Sequence, residues 1–534
     1  MQKLTTLFLF LCAWTYNLSA QSGLQMFDET YVHEIRIYFD EPNFWDTLTQ
    51  HYIITIDTSL ENVPLPALVT IDGATIDSVG VTQKGYYSNW GAGSSLKKPL
   101  KLDFNDFVDG GEYDNLKSIN LQNAFMDPSM MRDMLSYRIL RDMGVAAPRS
   151  SYARVYINDD YWGLYVVVEA VNKTFLKEHF GNNDGNLYKA NYTSLQYLGT
   201  NQADYSHDFE LKTNETANDW SRLINFIKTI NTSSNSSFKD SLERHFELNS
   251  YFKSLAVDVT TNNWDSHFEH GRNFYLYDSP ADGKFHWIPW DYNLAFAGGP
   301  FNNYDITLAD LRSNPDYDKI LPKRVLNNNA LRAQYLDIAC DLHHSVFTPE
   351  HLNPIIETTK ALIYNDLEDD PNKFYPEMDE FEIAVTVGID RIVTDSFHLV
   401  DSFWNGTIWE HIDTVFIWEY QEIVPGLQSL IAERNASIIA ELNDVYGVSC
   451  ATPSTEPASL SFDIWPNPAS EWLSLHIPEP GAITLFDVHG RIRKRTSLEQ
   501  TDIKIPLQEF DPGVYWIEFT TDTERSMQKL VVQR

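Results

Sequence analysis

Residues 262–293 read NNWDSHFEHGRNFYLYDSPADGKFHWIPWDYN. Two strand-like runs, Asn273–Tyr277 and Lys284–Ile288, flank the turn pair Asp282-Gly283, and together they predict a β-hairpin. A hairpin brings its outer ends together, so Asp265, Asn273 and Asp291 are expected to meet at one end. An acid for proton traffic, with an Asn and an Asp for a metal ion, is the equipment of phosphoryl transfer. Asp291 stands between Trp290 and Tyr292, where an unpaired carboxylate is costly. Pairs of acids at this spacing are common in acidic proteins, so the aromatic surroundings, not the spacing, favour a catalytic pair. His267, Glu269 and His270 belong to no HExxH motif and have no Cys neighbours, which argues against zinc. The two histidines read instead as loop residues near a nucleotide or substrate.

Working upstream, residues 247–260 carry an apolar face of Phe252, Leu255, Ala256 and Val259 and predict a helix that delivers the chain to Asp265. Ala153–Asn158 and Gly163–Glu169 predict another hairpin, followed by a helix at Lys173–Phe180. That layout is the one a kinase hinge uses, with the backbone of Glu169–Val171 against an adenine edge. A carboxylate facing water at a strand end is the other reading of Glu169. Asp127-Pro128 reads as a helix start, and Met131, Leu135, Ile139 and Met143 form a buried stripe that ends at Gly144. Arg132, Asp133, Arg138, Arg141 and Asp142 lie off that stripe and are expected to be mostly solvated. Residues 31–107 look β-rich, and 24–80 are expected to pack as an extra segment on the amino-terminal lobe. Gln83–Ser95 is a Gly/Ser-rich loop containing Gly85, Gly91 and Gly93, followed by the strand-like Lys97–Phe104. Glycines let backbone N–H groups approach a phosphate, and a lysine on the next strand neutralises it. A plain hairpin explains the same pattern.

The two ends differ from the middle. Lys3, the apolar run Leu7–Leu11 and Leu18-Ser19-Ala20 make residues 1–20 a secretory signal peptide, too short to span a bilayer. Residues 459–534 alternate strand-like segments with turns, among them Trp472–Ile477, Ala482–Val488, Val514–Phe519 and Gln528–Val532. They predict a small all-β sandwich joined by the proline-bearing linker 451–458. The remaining residues suffice for a two-lobed core or two domains. A formal charge of −35 disfavours nucleic acid and anionic lipid as partners. Cys340 and Cys450 can pair in an oxidising compartment, but the sequence leaves that pairing open. The segment 306–447 reads as helical, with Trp404, Trp409 and Trp418 as core residues.

Two resemblances follow from the motifs. WPNPAS, LFDVHGR, PGVYWIEF and the terminal QKLVVQR occur in order. They resemble the C-terminal sorting domain of the type IX secretion system of Bacteroidota. That resemblance implies export through the secretion machinery, then removal of the domain and release or surface attachment. KKPLKLDF, NLQNAFMDPSMMRDMLSYRILRDMGVAAPRS, VYINDDYWGLYVVVEAVNKTFLKEHFG, DFELKTNE, NNWDSH, NFYLY and KFHWIPWDYNLAF are similar to segments of the CotH kinase family over residues 80–445. The closing PGLQSLIAERNASIIAEL resembles that family's last helix.

The second resemblance implies an α+β fold for 24–450, an atypical protein-kinase-like two-lobed core, followed by an immunoglobulin-like sandwich. It implies transfer of the ATP γ-phosphate to protein Ser or Thr with Mg²⁺ or Mn²⁺. By position Asp265 is the catalytic aspartate, Asp291 the metal-binding aspartate and Asn273 a candidate second metal ligand. Lys98, then Lys101, are the candidate phosphate-contacting lysines, with Gly85, Gly91 and Gly93 over the phosphates and Glu169 at the adenine. Seven residues, Ser266–Arg272, separate Asp265 from Asn273, against four in protein kinases. Asn293 stands where an acid is expected. ATP is scarce outside cells, so a catalytically inactive surface binding protein or adhesin is the alternative. A carbohydrate-active protein with two working carboxylates is a third reading.

Overall fold

The computed structural model describes residues 21–58, 62–297, 319–375, 377–404 and 409–450. Between 462 and 533 it describes all but 468, 471, 478–479, 488–491, 499–501, 509, 511 and 522–524. Only the backbone is described at 56–58 and 389–424. The expected signal peptide (1–20) and linker (451–458) lie outside the described residues. The chain divides into two compact units, Met1–Cys450 and Ala451–Arg534.

The first unit begins with seven strands whose side chains alternate between the inside and the outside of a sheet. In β1 (Val32–Tyr38) Ile35 and Ile37 are fully buried while their neighbours are partly exposed, the period-2 signature of a half-buried strand. β2 (Leu65–Ile71), β3 (Ala74–Gln83), β4 (Leu100–Asp103), β5 (Ser118–Gln122), β6 (Ser150–Ile157) and β7 (Asp160–Glu169) complete a closed barrel in the order β1-β2-β3-β4-β5-β7-β6. All pairings are antiparallel except β1 with β6. Asn158 and Asp159, both at positive φ, make the two-residue β6–β7 turn, as Asx residues in tight hairpins do. Residues 24–80 are therefore part of the barrel wall and no added segment: β1–β3 are needed to close it. The helix α1 (Phe44–Thr58) connects β1 to β2.

A second sheet, in the order β11-β10-β8-β9, joins β8 (Leu187–Ala190), β9 (Phe209–Leu211), β10 (Phe274–Ser279) and β11 (Lys284–Pro289). The β10–β11 hairpin pairs Tyr277 with His286, as the turn at Asp282-Gly283 requires. Among the helices packed with it are α3 (Arg132–Asp142), α4 (Lys173–Phe180) and α7 (Leu248–Thr260), numbered after the single turn α2 (Tyr87–Trp90). Further helices follow at Ile320–Asn327, Asn329–Asp341, Pro349–Glu368, Met378–Val385 and Leu427–Asp444. A disulfide joins Cys340 to Cys450. The region 306–447 is not helical throughout: Gly388–Trp404 and Trp409–Pro425 pair as two long antiparallel strands. The side chains of Trp404, Trp409 and Trp418 lie outside the described residues.

Two local departures have physical causes. The helix expected from Asp127 begins at Arg132, because Asp127 folds its own turn, accepting from the Ser129 and Arg132 N–H groups. Arg132 and Asp133 are buried, against expectation. An apolar stripe marks one face of a helix, but α3 is covered on several.

Lys97, from the KKPLKLDF run, is also buried and forms an ion pair with Asp370, which is equally buried. Asp370 Oδ2 also accepts from the Leu164 N–H at 3.0 Å. A Cβ at Gly163 would lie 2.5 Å from Asp370 Oδ1, so only glycine admits this approach.

The second unit has a three-stranded sheet, β14-β15-β18, and a four-stranded sheet, β17-β16-β19-β20. These strands are β14 (Asp463–Trp465), β15 (Trp472–His476), β16 (Gly481–Asp487), β17 (Ile492–Leu498), β18 (Asp502–Pro506), β19 (Gly513–Thr520) and β20 (Arg525–Val532). Phe462, Leu475, Ile483, Leu485, Ile517 and Phe519 share one apolar core.

Lys97→Met leaves the Asp370 carboxylate buried without its cation and is expected to destabilise the first unit by about 3 kcal/mol or more. The double variant Lys97→Met/Asp370→Asn should recover part of that loss. Urea unfolding of the three proteins checks both statements, and a double variant no better than the single one would contradict the pairing.

Candidate functional site

Asp265 follows α7 and precedes α8 (His267–His270), a single turn. Its Oδ1 accepts from Arg272 Nε at 2.7 Å and also from Nη2 of the same guanidinium. Its Oδ2 accepts from Asn273 Nδ2 at 3.0 Å, and the same Nδ2 donates to the Asp265 carbonyl at 2.8 Å. The longer spacing between Asp265 and Asn273 thus closes as a loop that brings them into direct contact. Asn262, Asn273 and Asp291 all take positive φ. Asn and Asp tolerate that backbone best among non-glycine residues, and such strain collects at functional sites.

Asp291 follows β11 directly. Its N–H donates to the Tyr137 hydroxyl at 2.9 Å, and the next N–H, of Tyr292, donates to Asp133 Oδ1 at 2.8 Å. Tyr137 and Asp133 are both on α3. The helix therefore grips the backbone on which Asp291 is mounted. The Asp265 carboxyl is pushed above its ordinary range by burial first, with Arg272 opposing and the Asp291 charge adding to the rise. Asp133 is pushed up to about 8, again by burial first and then by Asp291. The Asp291 charge thus acts on both Asp133 and Asp265.

The cation facing them is Lys84, just past β3. Its Nζ donates to Gln122 Oε1 at 3.0 Å and lies 5.6 Å from the centre of the Trp290 ring. Burial pulls its ammonium down to about 8, against the attraction of Asp291 and Asp133. Neither Lys98 nor Lys101 occupies this place. Lys98 Nζ donates to the carbonyls of Asn89 and Gly93, each at 2.7 Å, and so ties the glycine-rich loop together. Lys101 pairs with Asp103 at 2.7 Å and is well exposed. The sequence signal for Lys84 was its position beside Gly85 at the end of a strand; the larger KKPLK cluster drew attention away from it.

The other expected residues fall as follows. Gly85 and Gly93 take positive φ, and a Cβ at Gly91 would meet the Phe125 ring at 2.6 Å. The loop between them is the turn α2, adjoining Lys84 through the Asn89 Nδ2 bond to the Lys84 carbonyl at 3.4 Å. Glu169 is neither at water nor free for an adenine. It is buried, with Oε2 accepting from Arg149 Nε at 3.0 Å and from the Arg149 N–H at 3.1 Å, while its own N–H donates to the Arg149 carbonyl. Burial pushes this carboxyl up, yet His179 and Arg149 together hold it below its ordinary range. Asn293 donates to the Phe125 carbonyl at 3.3 Å. His270 Nδ1 lies 3.9 Å from Asp265 Oδ1. His267 is not a loop ligand: it is packed against Phe274 and Trp287, and burial pulls it down to about 3.

Among the described residues no group of three His, Cys, Asp or Glu side chains is arranged to hold a metal ion. A donor set of Asp133 and Asp291 still fits a hard divalent cation, because Mg²⁺ is held by one or two carboxylates with the rest from phosphate and water. Two raised carboxyls beside Asp291 are the observation behind that fit: a cation there relieves a repulsion that burial enforces.

With this geometry in place, the comparisons can be read. The family profile described as CotH kinase protein matches residues 82–390, which include Lys84, α3, Asp265 and Asp291. The chain belongs to the CotH kinase protein family. The profile for the secretion system C-terminal sorting domain matches 463–533. The inner spore coat protein H of Bacillus subtilis is 26% identical over 304 residues, 55% of this chain and 78% of its own length. The invasin CotH3 of Rhizopus delemar is 21% identical over 330 residues, 58% of this chain but 51% of its own, so the chain spans about half of that relative. The sorting domain makes this CotH-family member a secreted or cell-surface protein. No helix among the described residues is long and apolar enough to cross a membrane.

Without a cation, folded Asp133 keeps its proton to about pH 8, whereas an unfolded aspartate releases it near its ordinary 3.8. Between those values the unfolded chain binds fewer protons, so stability falls as pH rises. Lys84, lowered from 10.5 to about 8, has the opposite effect above pH 8. A cation must displace the Asp133 proton to bind. The Mn²⁺-induced rise in melting temperature is therefore expected to be larger at pH 8 than at pH 5. Thermal melts at the two pH values check this, and an equal rise would exclude Asp133 from cation binding.

Proposed function

We propose that this secreted CotH-family protein is an atypical kinase that transfers the γ-phosphate of ATP to protein Ser or Thr. The observation that carries the proposal is the meeting of Lys84, Asp133, Asp265 and Asp291 on one site although they come from β3, α3 and both flanks of the β10–β11 hairpin. In this reading the barrel and the second sheet with its helices serve as the two lobes of a kinase-like core. The C-terminal unit serves as an immunoglobulin-like sandwich recognised by the type IX secretion machinery, after export under a cleaved signal peptide.

The residues divide the work by their chemistry. Lys84 neutralises charge on the polyphosphate. Asp291 and Asp133 would hold Mg²⁺ or Mn²⁺, which would supply positive charge against the polyphosphate. Asp265 accepts the proton of the acceptor hydroxyl as that oxygen bonds to the γ-phosphorus and the bond to the ADP oxygen breaks. Its raised affinity for protons suits a general base. Asn273 holds Asp265 in place. Arg272 must loosen from Oδ1 when the hydroxyl arrives.

The alternative, a binding protein without turnover, is favoured by two points. One curated relative is named an invasin, and the Arg272 ion pair occupies the oxygen a base would use. The two readings separate experimentally. The purified protein incubated with ATP and Mn²⁺ is expected to gain phosphate detectable by mass spectrometry. Asp265→Asn should lower that rate about a hundredfold or more while leaving the Mn²⁺·ATP melting shift in place. Asp291→Asn should abolish both. A wild-type protein that is stabilised by ATP yet gains no phosphate on itself or on added proteins would select the binding reading.

A further inference from the structure

One basic side chain near the site has no part in the account so far. Lys189 lies on β8, directly opposite Tyr275 on β10 and Glu210 on β9. Directly opposed residues share a sheet face, so these three look the same way. Tyr275 packs edge-on against Trp290, with ring centres 5.8 Å apart, and Trp290 is the ring over which Lys84 sits. The Asp291 charge acts on both Lys84 and Lys189. Two lysines, one from the barrel and one from the second sheet, thus feel the charge of one carboxylate.

Neither is neutralised locally. Among the described residues no carboxylate lies within ion-pair distance of Lys84 or Lys189. Glu210, the strand neighbour of Lys189, is itself paired with Lys212 at 2.7 Å. Burial pulls the Lys189 ammonium below its ordinary range; Glu210 and Asp291 attract it, and Lys212 offsets part of that attraction. A protein of formal charge −35 that keeps two under-compensated lysines facing one point has built a local attraction for anions into a repelling surface.

We infer that Lys84 and Lys189 form a two-sided clamp for the polyphosphate chain of the donor, so that the nucleotide is held jointly by the barrel and the second sheet. The ligand class is a nucleoside di- or triphosphate with its divalent cation. A single phosphate offers too little charge for both ammonium groups, so a nucleoside monophosphate binds much more weakly. This rests on the proposed phosphotransferase site and assigns Lys189 a binding role within it.

The test uses the full chain with ADP, AMP and Mn²⁺ in titration calorimetry. Wild type is expected to bind ADP and to bind AMP at least tenfold more weakly. Lys189→Gln should weaken ADP binding about 10- to 100-fold, the usual loss of a hydrogen bond to a charged group. Lys189→Arg should stay within about threefold of wild type, as its charge is retained, and Lys101→Gln, at an exposed pair, should match wild type. A second measurement needs no variant: amine-reactive labelling of wild type at pH 8, read by mass spectrometry, with and without ADP and Mn²⁺. Protection of both Lys84 and Lys189 supports the clamp. Protection of Lys84 alone, or ADP binding unchanged in Lys189→Gln, overturns it while the nucleotide site stands. No ADP binding by wild type overturns the site and the clamp together.

Discussion

The first unit depends on a carboxylate that has no access to water. Asp133 is buried at the start of α3 and accepts the Tyr292 N–H, while Tyr137 one turn later accepts the Asp291 N–H. These two bonds fasten the end of β11 to the helix. They set where Asp291 projects, and through Asp291 they bring Lys84 of the barrel into the same electrostatic neighbourhood. Burying a charge without a partner is among the costliest things a fold can do. Burial first, and then the Asp291 charge, pushes Asp133 toward its neutral form, and on the proposed reading a divalent cation would offer the alternative.

A site poised in this way is incomplete by construction. Asp291 raises the proton affinity of two neighbouring carboxyls, and Asp265 is covered by Arg272. On the proposed reading, an anionic ligand accompanied by a divalent metal would relieve these tensions. Structural ion pairs elsewhere in the unit look different. Lys97–Asp370 and Arg149–Glu169 are closed pairs in which the carboxylate also accepts backbone N–H groups, leaving no role for an added ion. The contrast between satisfied and unsatisfied buried charge separates scaffold from site more sharply than burial does.

Destination and chemistry are divided between the two units. The disulfide between Cys340 and Cys450 ties a helix of the first unit to its last residue, a cross-link suited to a protein that works outside the reducing cytoplasm. The second unit has its own apolar core from two sheets and the sorting-domain profile. A surface of formal charge −35 repels polyanions at long range, so on the proposed reading recognition of a nucleotide would be local and short in reach, through half-buried lysines.

Local patterns in the chain were enough for much of this. Alternation of apolar residues with Asx turns located the β6–β7 and β10–β11 hairpins. The apolar face of 247–260 located α7, and ordered motifs carried both family resemblances. That Asp265 meets Asn273 and feels the Asp291 charge was legible because a hairpin has a fixed local geometry that brings its ends together. The barrel closure by β1–β3 and the burial of Arg132 and Asp133 were not legible, since each depends on partners distant in sequence; the two strands inside 388–425 pair with each other, yet the region reads as helical in sequence. The same holds for the lysines. Lys98 and Lys101 stand in a basic run that attracts attention, yet one ties its own loop and the other faces solvent. Lys84 and Lys189 are unremarkable in sequence and meet the acids only because a barrel strand and a second sheet are folded toward the same tryptophan. Most elements could be placed from the chain alone, because strand alternation, turns and helix faces are short-range; which charges share an environment emerged only on folding, because desolvation and Coulomb forces act through space and ignore chain order.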